Sequence, residues 1–123
     1  MHHYALASLL LVLSLPACAS RPEPQAPPSG GQTFPEAVAM MCDVDKLAGL
    51  SAEADPLGIG QSRTDWITQH VDNPDAIELR TLLSVKGATE QSGMLRDKAK
   101  QVGQKSCTLA DSLEKEETGG LSP

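Results

Sequence analysis

Aromatic residues are nearly missing from this chain, with one Phe, one Trp and one Tyr in 123 residues. Tyr4 belongs to the first apolar stretch, so everything after it has Phe34 and Trp66 alone. Core volume must then come from Leu, Ile, Val, Met and Ala, which suits helix packing better than a sheet sandwich. No basic stripe interleaved with aromatics occurs, and the formal charge of −6 repels phosphate backbones. No nucleic acid is expected as a partner. The net negative charge serves solubility.

Chemical signatures are equally sparse. No Gly-x-Ser-x-Gly, zincin motif or identifiable pair of catalytic carboxylates is present. Gly58-Ile59-Gly60 lacks the third glycine of a dinucleotide turn and has no strand before it, so it reads as a loop. Asp43-Val44-Asp45 and Asp72-Asn73-Pro74-Asp75 lack the alternating ligands, central glycine and terminal glutamate of a calcium loop. Helix caps explain both. Beyond Met1-His2-His3-Tyr4 the only histidine is His70, which leaves acid–base catalysis few candidates. The expectation is a protein that is not an enzyme and carries no cofactor.

What is present begins at the N-terminus. Residues 1–17 contain no Lys, Arg, Asp or Glu, and an apolar run from Ala5 to Leu15 leads into Ala17 and Cys18. That run is too short to span a bilayer, which needs about 20 residues. An apolar segment of this length before a small residue reads as an export signal. Leu15-Pro16-Ala17-Cys18 resembles the lipobox of bacterial lipoprotein precursors. The resemblance covers the targeting segment alone and implies a lipoprotein signal peptide over 1–17, cleavage before Cys18, and acylation of the Cys18 sulfur. It further implies an N-terminal membrane anchor. Because Ala19 is not the aspartate of inner-membrane retention, it places the chain on the periplasmic face of the outer membrane. A general signal peptidase site, Ala17-Cys18-Ala19, is the competing route.

Residues 18–33 are rich in Pro first and Gly later, a composition that builds no core. The Pro-rich half is extended at about 3.1 Å per residue, forming a tether.

With Cys18 acylated, Cys42 and Cys107 remain as an even pair in an oxidising compartment. A disulfide between them would staple the first helix to the last and, in the chain-entropy model, stabilise by about 4 kcal/mol. Two other uses compete with it. One is a redox-active thiol pair, although such pairs usually sit as Cys-x-x-Cys. The other is a copper(I) site drawing on Cys42, Cys107, His70 and the soft sulfurs of Met40, Met41 or Met94. Methionine at helical spacing is more often core filler.

Residues 34–115 read as an all-α domain, a small bundle of four or five short helices stapled by one disulfide. The first helix starts near Phe34-Pro35, buries Ala37, Val38, Met41, Cys42, Val44 and Ala48, and ends at Gly49. Ser51–Gly60 is a loop. A second helix runs from about Gln61 to Val71, with Trp66, Ile67, His70 and Val71 on one side. Asn73-Pro74 caps a third, whose apolar face holds Ile77, Leu79, Leu82, Leu83 and Val85, with Gly87 as its C-terminal cap. A fourth, Thr89 to Val102, packs Met94, Leu95, Ala99 and Val102 and closes at Gly103. The last, Cys107 to about Lys115, buries Leu109, Ala110 and Leu113 and carries an Asp111–Lys115 pair. Residues 116–123 read as a flexible tail.

An anchor, a tether and a small domain without catalytic groups point to a lipid-anchored envelope protein with a binding or structural role toward another envelope protein. A periplasmic copper- or thiol-handling protein using Cys42 and Cys107 is the alternative.

Overall fold

The computed structural model describes residues 31–119; the leader, residues 18–30 of the tether and residues 120–123 lie outside the described residues. Among the described residues six helices follow one another: α1 (Phe34–Cys42), α2 (Val44–Ala48), α3 (Ile59–His70), α4 (Pro74–Ser84), α5 (Ala88–Gln101) and α6 (Thr108–Gly119). No strand occurs among the described residues, and none of their helices is long and apolar enough to cross a membrane.

α1 begins with a capping box. The Glu36 amide donates to Thr33 Oγ1, and the Thr33 amide donates back to Glu36 Oε2 at 2.8 Å, with Pro35 in the first turn. That amide, followed by the Thr33 hydroxyl, holds the Glu36 carboxyl below its usual pKa. Ala37, Val38, Met41 and Cys42 recur at helical spacing and are all buried, which makes α1 the central helix. It packs on α2, α4, α5 and α6.

The expected single helix from Phe34 to Gly49 is two. Asp43 leaves helical backbone (φ −103°, ψ 17°). The break brings Val44 wholly into the core and lets Asp45 reach α3. Gly49 then ends α2 in the left-handed region (φ +65°), where the Leu50 amide reaches back to the Asp45 carbonyl. Gly103 (φ +82°) closes α5 in the same way, with the Gln104 amide on the Ala99 carbonyl.

α5 and α6 form an antiparallel hairpin, the most extensive helix pairing in the molecule. Leu95, Ala99, Leu109 and Ala110 fill its inner face. On its outer face Arg96 pairs with Asp111 and Glu114, and Thr89 hydrogen-bonds Glu117. Asp111 therefore serves Arg96 across the hairpin, not Lys115 along its own helix. α6 also runs on to Gly119, so residues 116–119 of the expected tail are helical; Glu116 and Glu117 have partners that hold them there.

The Cys42–Cys107 disulfide is present, joining the end of α1 to the residue before α6 with its Cα atoms 4.6 Å apart. Both sulfurs sit in the core, at 2% and 3% exposure.

α4 departs from expectation in its outer half. Asn73 caps it, its Oδ1 accepting from the Asp75 and Ala76 amides at 3.1 Å each. Only Ala76, Leu79 and Leu83 are buried, whereas Leu82 is 49% and Val85 78% exposed and Ile77 lies at the surface. α4 packs chiefly on α1 and α5, and a three-residue stripe suffices for that contact. Gly87 does not cap α4, which ends at Ser84; it is the N-cap of α5.

Candidate functional site

α3 and α4 separate from a common elbow at Val71–Asn73. α3 leans on α2, while α4 leans on α1 and α5. The space left between them is a cleft of about 590 Å³, closed along its far side by α6. Met41, Ile67, Leu83, Leu95 and Leu109 form its floor, each less than a tenth exposed, and Leu113 stands half-buried at its edge. The rim is polar: Arg63, Thr64 and Thr68 on α3, Arg80, Thr81 and Ser84 on α4, Gln91 on α5 and Glu116 on α6.

Arg63 fixes the α3 wall. It falls midway between Ile59 and Ile67 at four-residue spacing, on the buried face of α3, and is itself 4% exposed. A guanidinium in that position needs anionic partners. Nε and Nη2 donate to the two Asp45 oxygens, both at 2.7 Å, and Nη1 donates to Glu116 at 2.8 Å. The pairing with Asp45 is the two-pronged geometry for which arginine is suited. It raises the guanidinium pKa above the usual arginine value; burial opposes the rise, and Glu116 adds to it. One side chain thereby ties α3 to α2 and to α6.

The elbow has its own clamp. Gln32 Oε1 accepts from the Asp72 and Asn73 amides, Gln32 Nε2 donates to the His70 carbonyl, and Asn73 Nδ2 donates to the Gln32 carbonyl. The chain just before α1 is thus fastened to the hinge between the two cleft helices.

Arg80 is the other cation of the rim. Its Nη1 donates to Thr68 Oγ1 at 2.7 Å, reaching from α4 to α3, and among the described residues it pairs with no carboxylate. The rim hydroxyls are committed to their own helices. Thr64 donates to the Gly60 carbonyl, Thr68 to Thr64, Thr81 to Ile77 and Ser84 to Thr81. Among the described residues no histidine or cysteine lines the cleft, and its one carboxylate, Glu116, is paired with Arg63. The arrangement sets an apolar floor beneath a polar rim.

The residues singled out by sequence divide. Cys42 and Cys107 meet as a disulfide, with both residues buried, and in this form they offer no thiolate to a metal. His70 is exposed at the end of α3, its ring stacked on Trp66 at 4.1 Å between centroids, with Nδ1–H donating to the Trp66 carbonyl. Met41 is part of the cleft floor, Met94 packs against the core, and Met40 accepts a hydrogen bond from Gln32 through its sulfur. No group of three or more His, Cys, Asp or Glu side chains converges as a metal site among the described residues. Cys18 lies outside the described residues. Arg63 and Arg80 were not expected at a site; the signal for Arg63 was its place on the apolar face of α3, and Arg80 had none.

Comparison with protein-family models, with curated proteins and with solved structures returned no match.

Proposed function

We propose that this chain is a lipid-anchored cell-envelope protein with a non-enzymatic binding role, its working surface the cleft between α3 and α4. The observation that carries the binding role is the cleft itself, with an apolar floor, a polar rim, and lining hydroxyls that donate to the carbonyls of their own helices. Leu15-Pro16-Ala17-Cys18 supports the anchor, and the Pro-rich segment behind it supports a domain held away from the membrane. Under this reading Cys18 carries the lipid, the domain faces the periplasm from the outer membrane, and Cys42–Cys107 is structural.

The test has two parts. Cells fed an alkyne-tagged fatty acid should label the wild-type protein and not Cys18→Ala, and the variant should leave the membrane fraction; membrane association independent of Cys18 overturns the anchor. A photo-crosslinking residue placed at Gln91, on the cleft rim, should capture an envelope component that one placed at Glu53, on the exposed loop, does not. Equal capture from both positions overturns the cleft as the working surface.

A further inference from the structure

The charge on the cleft rim is uneven. This chain is acidic overall, at −6, and Arg63 is paired with both Asp45 and Glu116. Arg80 is not. One of its five N–H donors meets Thr68, and among the described residues none of them meets a carboxylate. The floor below offers aliphatic side chains from five helices: Met41, Ile67, Leu83, Leu95 and Leu109. The volume of about 590 Å³ falls in the range of small-ligand sites, roughly 300–1,000 Å³. A forked cation above an aliphatic slot is complementary to a planar anion carrying an aliphatic chain.

We infer that the cleft binds a single-chain aliphatic carboxylate, its chain laid along the floor between α3 and α4 and its carboxylate held by Arg80. This deepens the binding role proposed above by naming the ligand class. Glu116, the acidic group on the rim, stands on the α6 side and is paired with Arg63, and among the described residues it makes no ion pair with Arg80. The Arg80–Thr68 bridge sets the guanidinium across the mouth before the ligand arrives, which lowers the ordering cost of binding.

Trp66, the single tryptophan of the chain, adjoins Ile67 of the floor and reports on occupancy by fluorescence. The experiment uses the exported Cys18→Ala chain, purified without detergent, and titrates decanoate, octanoate, 1-decanol and decylamine, with calorimetry as the second readout. Decanoate should bind one to one. Octanoate should bind about fifteenfold more weakly, from about fourfold per buried methylene. Arg80→Gln should weaken decanoate about tenfold and leave 1-decanol unchanged, because only the charge-assisted contact is removed. Ser84→Trp, which fills the mouth from α4, should abolish binding of every probe while the helical circular dichroism spectrum is retained.

The inference is overturned if no probe saturates, if 1-decanol binds as tightly as decanoate, if decylamine is preferred, or if Arg80→Gln leaves decanoate affinity untouched. Its failure is separable from that of the proposed function. Absence of decanoate binding with persistent capture at Gln91 removes the ligand class and keeps the binding role. Decanoate binding without Cys18 labelling removes the anchor and keeps the ligand.

Discussion

α1, α5 and α6 share the broader aliphatic contact and one covalent bond, whereas α3 and α4 add directional polar ties to narrower apolar stripes. In the first group Val38, Met41, Leu95 and Ala110 are closed to water and Cys42–Cys107 locks the ends. In the second, Arg63 ties α3 down through two carboxylates, Gln32 and Asn73 clamp the elbow, and Arg80 bridges to Thr68. Apolar packing is non-directional and leaves no gap when it succeeds. Polar ties hold elements at a distance, and the cleft lies where they do so. A domain this small cannot fill both halves with aliphatic volume, and the staple lets one half tolerate the opening in the other.

The contrast is broken most directly at the staple. Replacing Cys42 and Cys107 together by alanine should cost about 4 kcal/mol, measured by urea unfolding under oxidising conditions. A loss near zero would mean that packing alone holds α1 to α6. Arg63→Ala should cost about 2–3 kcal/mol and speed amide exchange in α3 before it does so in α5. That value is below the 3–5 kcal/mol of a fully buried pair because Glu116 is 38% exposed and screened by solvent. Exchange rising equally in both helices would erase the distinction between the halves. Asn73→Ala should cost about 1 kcal/mol, with the largest exchange increase at the Asp75 and Ala76 amides that lose their cap.

The buried face of α5 also carries a polar side chain. Ser92 Oγ is buried there without a hydrogen-bond partner among the described residues. Ser92→Ala should therefore be neutral or stabilising by up to about 1 kcal/mol, where a hydroxyl with a hidden partner would make it destabilising. The smallest effect is expected at Glu36, on the exposed first turn of α1. Its carboxyl titrates below its usual value near 4.5 because the Thr33 amide, then the Thr33 hydroxyl, bond its charged form. A depressed folded pKa contributes stability that is complete above about 4.5 and is lost as pH falls through the folded value. Wild type and Glu36→Gln should thus converge in urea midpoint on acidification and separate again toward neutrality. A constant gap across that range would exclude the capping box as its source.

Local chemistry made much of this legible. Asn73-Pro74 and Pro35 announced helix starts, and Gly49 and Gly103 marked helix ends, because caps depend on two or three adjacent residues. Cys42 and Cys107 were paired by counting. The reading failed where the answer depended on a neighbour distant in sequence. Ile77, Leu82 and Val85 look as apolar as Leu79 and Leu83, and only the position of α1 and α5 decides which face α4 hides. Asp111 looks like the partner of Lys115 until α5 brings Arg96 alongside. The site was the least legible part, since Arg63 and Arg80 become a rim only when α3 and α4 diverge.

From residue types and spacing alone came the helical class, the caps, the cysteine pair and the lipobox resemblance. Each rests on interactions within a turn or on composition, which a linear chain already carries. The break at Asp43, the Asp45–Arg63–Glu116 tie, the exposed face of α4 and the cleft were decided by tertiary packing. Their partners lie 18 to 53 residues apart in the case of Arg63, and no local rule specifies which groups folding will bring together at that range.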